Sequence, residues 1–222
     1  MELRIPFSWE ERRPVLLEKF FYLPSLYDGH ENWQKIPWND DRLFGNDRPV
    51  ALECCSGNGQ WICQKAKEEP DLNWVALELR FDRARKIWGC LQRERIPNLF
   101  VLCGDARLFA RHYLPKETIS RLYVNFPDPW PKKRHAKHRL LQRPFVDEAA
   151  ELLLSGAEGF FVTDDPPYAN EIVTTLTTSP FWRALLPSPH YKCNPEDYGR
   201  SFFLDLWKQK GKSIHLIHFQ KR

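Results

Sequence analysis

Short apolar runs alternate with longer amphipathic stretches along most of this chain. Runs of strand length fall at residues 49–54, 73–79, 98–103, 119–125 and 158–163, and most lead into a segment with helical apolar spacing. Those segments predict helices over 59–68, 82–95, 106–113, 140–154 and 169–178, with Asp82 near the start of the second and Arg95 at its end, as the charge bias of helix termini requires. Strands alternating with helices argue an α/β fold built on a mostly parallel sheet. A last run, 213–219, reads as a strand pairing antiparallel near the sheet edge, with Lys210-Gly211-Lys212 as the turn before it. The expected architecture is a mostly parallel, seven-stranded sheet with helices on both faces.

Residues 1–48 break this pattern. They carry Phe7, Trp9, Phe20, Phe21, Tyr22, Tyr27, Trp33, Trp38 and Phe44, and we read them as an aromatic-rich extension packing on a domain that spans 49–222. Burial in a core is the simpler use for such side chains; stacking on nucleic-acid bases is the other. A chain of 222 residues, 42% of them apolar, is enough for one sizeable domain.

Composition narrows the classes. A formal net charge of +4 permits a nucleic-acid partner without requiring one, so local clustering must decide. The cysteines at 54, 55, 63, 90, 103 and 193 show no CxxC spacing and no matched histidine pairs, which argues reduced thiols and no metal site. No uncharged apolar run reaches the roughly 18 residues of a membrane span, and the N-terminus mixes acids with bases where a signal peptide is apolar. A cytoplasmic protein is expected; monomer and homodimer stay open.

The first strand runs into Leu52-Glu53-Cys54-Cys55-Ser56-Gly57-Asn58-Gly59-Gln60, a glycine-bearing loop that opens a helix. Gly57 and Gly59 let the chain turn tightly and a ligand approach the backbone, and in open α/β sheets ligands lie at the carboxyl ends of the strands. An ordinary tight turn fits the same glycines. Glu78 ends the next strand, where a carboxylate can accept both hydroxyls of a ribose, and Gly104-Asp105-Ala106 follows the third, where Asp105 can reach an adenine amino group or cap a helix. A pyrophosphate needs an unobstructed helix N-terminus, whereas a sulfonium cation needs nearby carboxylates. Glu53, inside the loop's approach, favours S-adenosylmethionine over a dinucleotide.

The fourth strand ends in Asn125-Phe126-Pro127-Asp128-Pro129-Trp130-Pro131 and leads directly into Lys132-Lys133-Arg134-His135-Ala136-Lys137-His138-Arg139. The prolines stiffen the loop and fix Asn125 and Asp128 at the cofactor end of the sheet. Trp130 offers a face for a base. The cations just downstream suit phosphates, so Arg134, His135, Lys137, His138 and Arg139 are candidate RNA contacts.

The stretch 125–135 resembles the hallmark of the tRNA (guanine-N7)-methyltransferases, N-F-x-D-P-W-P-K-K-R-H, and the likeness runs from about Pro49 to Ile214. The resemblance implies a Rossmann-like class I methyltransferase fold, S-adenosylmethionine as cofactor and tRNA as partner, with a guanosine at position 46 in the variable loop as target. It implies that Glu53, Glu78, Asp105 and Asp128 surround the cofactor, that Lys132 and Asp164 contact the substrate, and that Ser201 belongs with them. Asp128 is the candidate catalytic group. Three positions depart from the family pattern. Cys55 stands where a glycine is usual, Asp165-Pro166-Pro167-Tyr168 follows Thr163-Asp164, and Leu204 replaces a substrate-binding glutamate. Asp165-Pro166-Pro167-Tyr168 also matches the D-P-P-Y with which exocyclic-amine methyltransferases hold an amino nitrogen, although two prolines opening a helix explain it equally. The third reading is an RNA-binding module without catalysis.

Overall fold

In the computed structural model, residues 3–4, 12–196, 198–199 and 201–222 are described; Phe7 and Trp9 lie outside them. The five strands at the centre are β3 (Val50–Cys54), β4 (Asn73–Glu78), β5 (Leu99–Cys103), β6 (Ile119–Asn125) and β7 (Leu153–Thr163). They run parallel in the order β5-β4-β3-β6-β7. The chain winds outward from β3 in one direction and then, from β6, in the other. The crevice opens where the order reverses, at the carboxyl ends of β3 and β6.

The final strand, β10 (His215–Lys221), lies antiparallel to β7, as its place in the sequence predicts. Four short strands raise the total to ten among the described residues, beyond the expected seven. β8 (Trp182–Ala184) and β9 (Tyr191–Cys193) pair with β10; β1 (Val15–Leu17) and β2 (Phe20–Tyr22) come from the N-terminal segment. Three-residue strands carry too little periodicity to stand out in a sequence.

The N-terminal segment is part of the sheet as well as a cover for it. β2 pairs parallel with β5, so Phe20 and Phe21, on opposite faces of the pleat, enter the two cores on either side. Trp38, Leu43 and Phe44 fill the face shared with Phe100, and Trp38 donates its indole N–H to Thr118 Oγ1 at 2.9 Å.

Helices α1 (Gln60–Glu68) and α2 (Phe81–Glu94) cover one face. The other is covered by α3 (Ala106–Leu108), continued by a π-type turn to Tyr113, and by α4 (Arg143–Leu152) and α5 (Pro166–Thr178). β7 begins at Leu153 and not at 158, directly after α4, and two helix starts differ from the periodic reading for backbone reasons. α4 begins at Arg143 and not at 140, because Pro144 is tolerated only in the first turn. α5 begins at Pro166 and not at 169, since Asp165 caps it by accepting the Tyr168 N–H at 2.8 Å. A further helix, α6 (Phe202–Gln209), sets Phe203 beside Gly57 of the β3–α1 loop, with its ring 6.2 Å from that of Phe126 after β6. Among the described residues no helix is long and apolar enough to cross a membrane, and no cluster of His, Cys, Asp or Glu has metal-binding geometry.

Candidate active site

The acids singled out in the sequence converge on the carboxyl ends of the central strands. Glu53 sits within β3, Glu78 ends β4, Asp105 follows β5, Asn125 ends β6 with Asp128 just beyond, and Asp164 follows β7. Strand parallelism puts these five acids and Asn125 on one edge.

The loop between β3 and α1 has Cys55 at φ 64°, Gly57 at 59° and Gly59 at 80°, all in the left-handed region. Gly59 precedes α1, and a Cβ there would lie 2.7 Å from Ile87 Cγ1 of α2, so this glycine is required by helix packing as well as by the turn. Glu78 fastens the loop, with Oε2 accepting the Gly57 N–H at 2.8 Å and Oε1 the Arg80 N–H at 2.9 Å. Two lone pairs of that carboxylate remain for a ligand hydroxyl pair. Asp105 caps α3, accepting the Arg107 N–H at 2.8 Å, and leaves its second oxygen only loosely paired with the Arg107 guanidinium at 3.4 Å.

Glu53 is 1% exposed. Its Oε1 accepts the Asn125 Nδ2–H at 2.6 Å, and its Oε2 is buried with no hydrogen-bond partner among the described residues. Burial pushes this carboxyl up to about 7, against the pull of hydrogen bonds that include Asn125. Asn125 is in turn held by the Tyr198 hydroxyl, and the Trp61 indole N–H donates to Tyr198 O at 2.7 Å while the two rings stack. A cleft with about 300 Å³ of open space runs along Glu53, Cys55, Asn58, Asn125, Phe126 and Phe203. An unpaired buried carboxylate oxygen beside such a cleft suits a cationic ligand, so the residues fit S-adenosylmethionine.

The substrate side is arranged differently. Asp128 is exposed and accepts the Trp130 N–H at 3.2 Å. Phe126 and Trp130, at φ 49° and 42°, bracket it in strained backbone. The basic residues form a 3-10 turn, Lys133–His138, preceded by Lys132 as cap. Lys132, Arg134, Lys137 and His138 face solvent, and His135 and His138 lie against the Trp130 ring at 5.7 and 5.3 Å. Arg139 departs from the expectation of a phosphate contact: its guanidinium turns inward to Pro129 O, Trp130 O and Glu171. Asp164 is 8% exposed and paired with Lys212, whose ammonium lies 3.9 Å from the Trp207 ring centre. Ser201 caps α6, its Oγ accepting the Leu204 N–H at 3.0 Å, and Leu204 is buried.

Asp165 and Tyr168 are used within the fold. Asp165 caps α5, and Tyr168 is fully buried with its hydroxyl accepting the Leu141 N–H at 3.2 Å. Tyr198, Lys212, Arg107 and Glu171 also belong to this edge and carry no mark of it in the sequence. Each acts across 30 or more residues of sequence or sits in a segment with no motif of its own; the polar residue types alone gave no signal.

The sheet order, the glycine loop and the row of strand-end acids together define a class I S-adenosylmethionine-dependent methyltransferase. A crystal structure of the 16S rRNA methyltransferase KamB superposes with a TM-score of 0.60 over 85% of this chain and 95% of that one, at 14% identity. A family described as "Putative methyltransferase" matches residues 47–212. The chain belongs to the tRNA (guanine-N7)-methyltransferase family. The protein of that name from Chlamydia felis (strain Fe/C-56) is 40% identical over 221 residues, 100% of this chain and 96% of the relative. One from Geobacter metallireducens (strain ATCC 53774 / DSM 7210 / GS-15) is 30% identical over 211 residues, 95% and 97% of the two chains.

Proposed function

We propose that this chain transfers a methyl group to N7 of a guanosine in tRNA, with position 46 of the variable loop as the target that its family resemblance implies. The observation that carries the reading is the proline-stiffened Asp128 loop, which leaves the cleft at Asn125 and Phe126 and is followed at once by an outward-facing basic turn. S-adenosylmethionine supplies a methyl group activated on a sulfonium sulfur. Guanine N7 presents its lone pair in the ring plane, so no base is needed to remove a proton beforehand. The work left to the protein is alignment, a contribution that reaches roughly 7–11 kcal/mol in favourable cases.

In this reading Glu53 faces the positive end of the cofactor, Glu78 accepts the ribose hydroxyls, and Asp105 reaches the adenine edge. Gly57 and Gly59 shape the loop around them. Asp128 stabilises the positive charge that develops on the purine as N7 is alkylated. Asp164 accepts from the donor groups of the guanine edge, with Lys132 on the nucleotide and Ser201 at the rim of the cleft. Arg134, His135, Lys137 and His138 contact phosphates, and Trp130 offers its face to a base.

Methylation of an exocyclic amine has less support, because Asp165 and Tyr168 are already engaged in capping and packing α5. Labelled methyl transfer to bulk tRNA, followed by nucleoside analysis, separates the readings. The expected product is 7-methylguanosine, and chain scission at the modified base maps its position. Label in a methylated amine sinks the N7 assignment, and no label at all favours an RNA-binding role without catalysis.

A further inference from the structure

The backbone on both sides of Asp128 is strained, and the loop has little means of holding itself. Phe126 and Trp130 have positive φ, a conformation costing on the order of 1–3 kcal/mol for such residues and kept only where the surroundings over-determine it. Pro127, Pro129 and Pro131 have no N–H to donate. One end of the loop is tied to the sheet, with the Phe126 N–H donating to Val162 O at 2.8 Å. The other end is tied by Arg139. Its Nε donates to Pro129 O at 2.7 Å, its Nη2 to Trp130 O at 3.3 Å, and its Nη1 to Glu171 of α5. The guanidinium lies 5.2 Å from the Tyr168 ring centre, and the side chain is 12% exposed. Arg107 in turn holds the backbone at this point, donating to His138 O at 3.1 Å and Arg139 O at 2.9 Å.

We propose that Arg139, with Glu171 as its counter-ion, is a positioning residue of the methyl transfer: it holds the Pro129 and Trp130 carbonyls so that Asp128 and Trp130 face the strand ends, and it contacts no phosphate. The planar fork suits this task. One guanidinium reaches two carbonyls and a carboxylate while stacking on a ring, which a lysine ammonium cannot do. The inference rests on the proposed function for its kinetic part only.

The test compares Arg139→Ala, Arg139→Lys and Glu171→Gln with Arg134→Ala as the phosphate-contact control. A displaced loop should lower kcat by about 10- to 100-fold in both Arg139 variants, since a misplacement near 1 Å costs about that much. The Kd for tRNA should stay within about twofold and the salt slope of binding should not change, whereas Arg134→Ala lowers that slope by about one. Added guanidinium ion should restore part of the turnover of Arg139→Ala, and methylammonium should not. Combining Arg139→Ala with Glu171→Gln should cost no more kcat than Arg139→Ala alone. A slope reduced by about one with kcat preserved makes Arg139 a phosphate contact and overturns the proposal. So does a parallel loss of Tm, cofactor affinity and kcat in Arg139→Lys, which marks a purely structural residue. A wild-type chain that forms no 7-methylguanosine overturns the proposed function instead, while the slope comparison, read from binding alone, still judges Arg139.

Discussion

The two halves of the active-site edge hold their carboxylates by different means. On the cofactor side, Glu78 and Asp105 bind backbone amides of their own or a neighbouring loop, at 2.8–2.9 Å. On the substrate side, Asp164 relies on Lys212, and the Asp128 loop relies on Arg139 at the end of the following turn and on Glu171 of α5, all of them long side chains. Backbone donors are fixed once the strand and turn are formed, so Glu78 and Asp105 are rigid with the fold, while Glu53 on that side takes a side-chain donor, Asn125. Side-chain donors add rotamer freedom that must be frozen, roughly 2 kcal/mol for an arginine or lysine, which leaves the substrate half easier to perturb alone.

Removing a charge from each half sharpens the contrast, and the largest effect belongs to Asp128. Asp128→Ala should reduce turnover by about 10²- to 10³-fold, the range for loss of one preorganised electrostatic group, while tRNA affinity changes little. Equal losses in kcat and in tRNA binding, measured by single-turnover kinetics and filter binding, would remove Asp128 from the chemistry.

Glu53 should behave in the opposite way, acting on cofactor affinity and on stability. Its carboxyl is pushed up to about 7 from a usual value of 4.5, so the fold favours the protonated form. The stability this group contributes is whole below about pH 4.5 and is lost as pH rises through 7. Glu53→Gln keeps an acceptor for Asn125 and removes the charge. At pH 8 it should stabilise the ligand-free protein by roughly 1–3 kcal/mol in denaturant titrations. It should also weaken S-adenosylmethionine binding by tenfold or more, and S-adenosylhomocysteine, which has no sulfonium charge, by less. In the wild type the preference for S-adenosylmethionine should decline as pH falls below 7. A pH-independent ratio of the two affinities would mean that Glu53 does not face the sulfur.

The same division decides what could be read from the chain. The β3–β4–β5 half, with Glu53, Glu78 and Gly104-Asp105-Ala106, is written in short segments where strand, turn and acid are consecutive, so the place of each acid at the carboxyl end of its strand is legible. Asn125 and Asp128 were legible because the prolines mark the loop. A run of cations looks outward by default, so the chain gives no sign that its last member, Arg139, turns inward to Glu171, 32 residues on. Tyr198 had no motif, Lys212 reads only as part of a turn before the last strand, and β1, β2, β8 and β9 were too short to show a period.

A smaller effect is expected where a substrate-side pair is cut. Lys212→Ala strands the Asp164 carboxylate, which is 8% exposed, without its cation. Lys212 is itself 43% exposed, so solvent screens part of the interaction and the loss should be about 1–2 kcal/mol, below the range for fully buried pairs. Adding Asp164→Asn should recover most of that stability. Failure to recover it would place the effect in the packing of Lys212 on Trp207.

The smallest change tests the cofactor half where it departs from its family. Cys55 has φ 64°, a conformation that costs a side chain with Cβ about 1–2 kcal/mol and glycine almost nothing. Against that, glycine loosens the unfolded chain by about 0.4–1 kcal/mol, and the thiol's packing beside the core is lost. Cys55→Gly should therefore change stability by no more than about 1 kcal/mol, toward the stable side, with cofactor affinity within twofold. Gly59→Ala meets both obstacles at once, φ 80° and Ile87 Cγ1 at 2.7 Å, and should destabilise by about 2 kcal/mol or more. The pair distinguishes strain from steric conflict in one loop. If Cys55→Gly were the more damaging substitution, the thiol would be holding the loop through its contacts, and the strain argument for glycine at that position would be wrong.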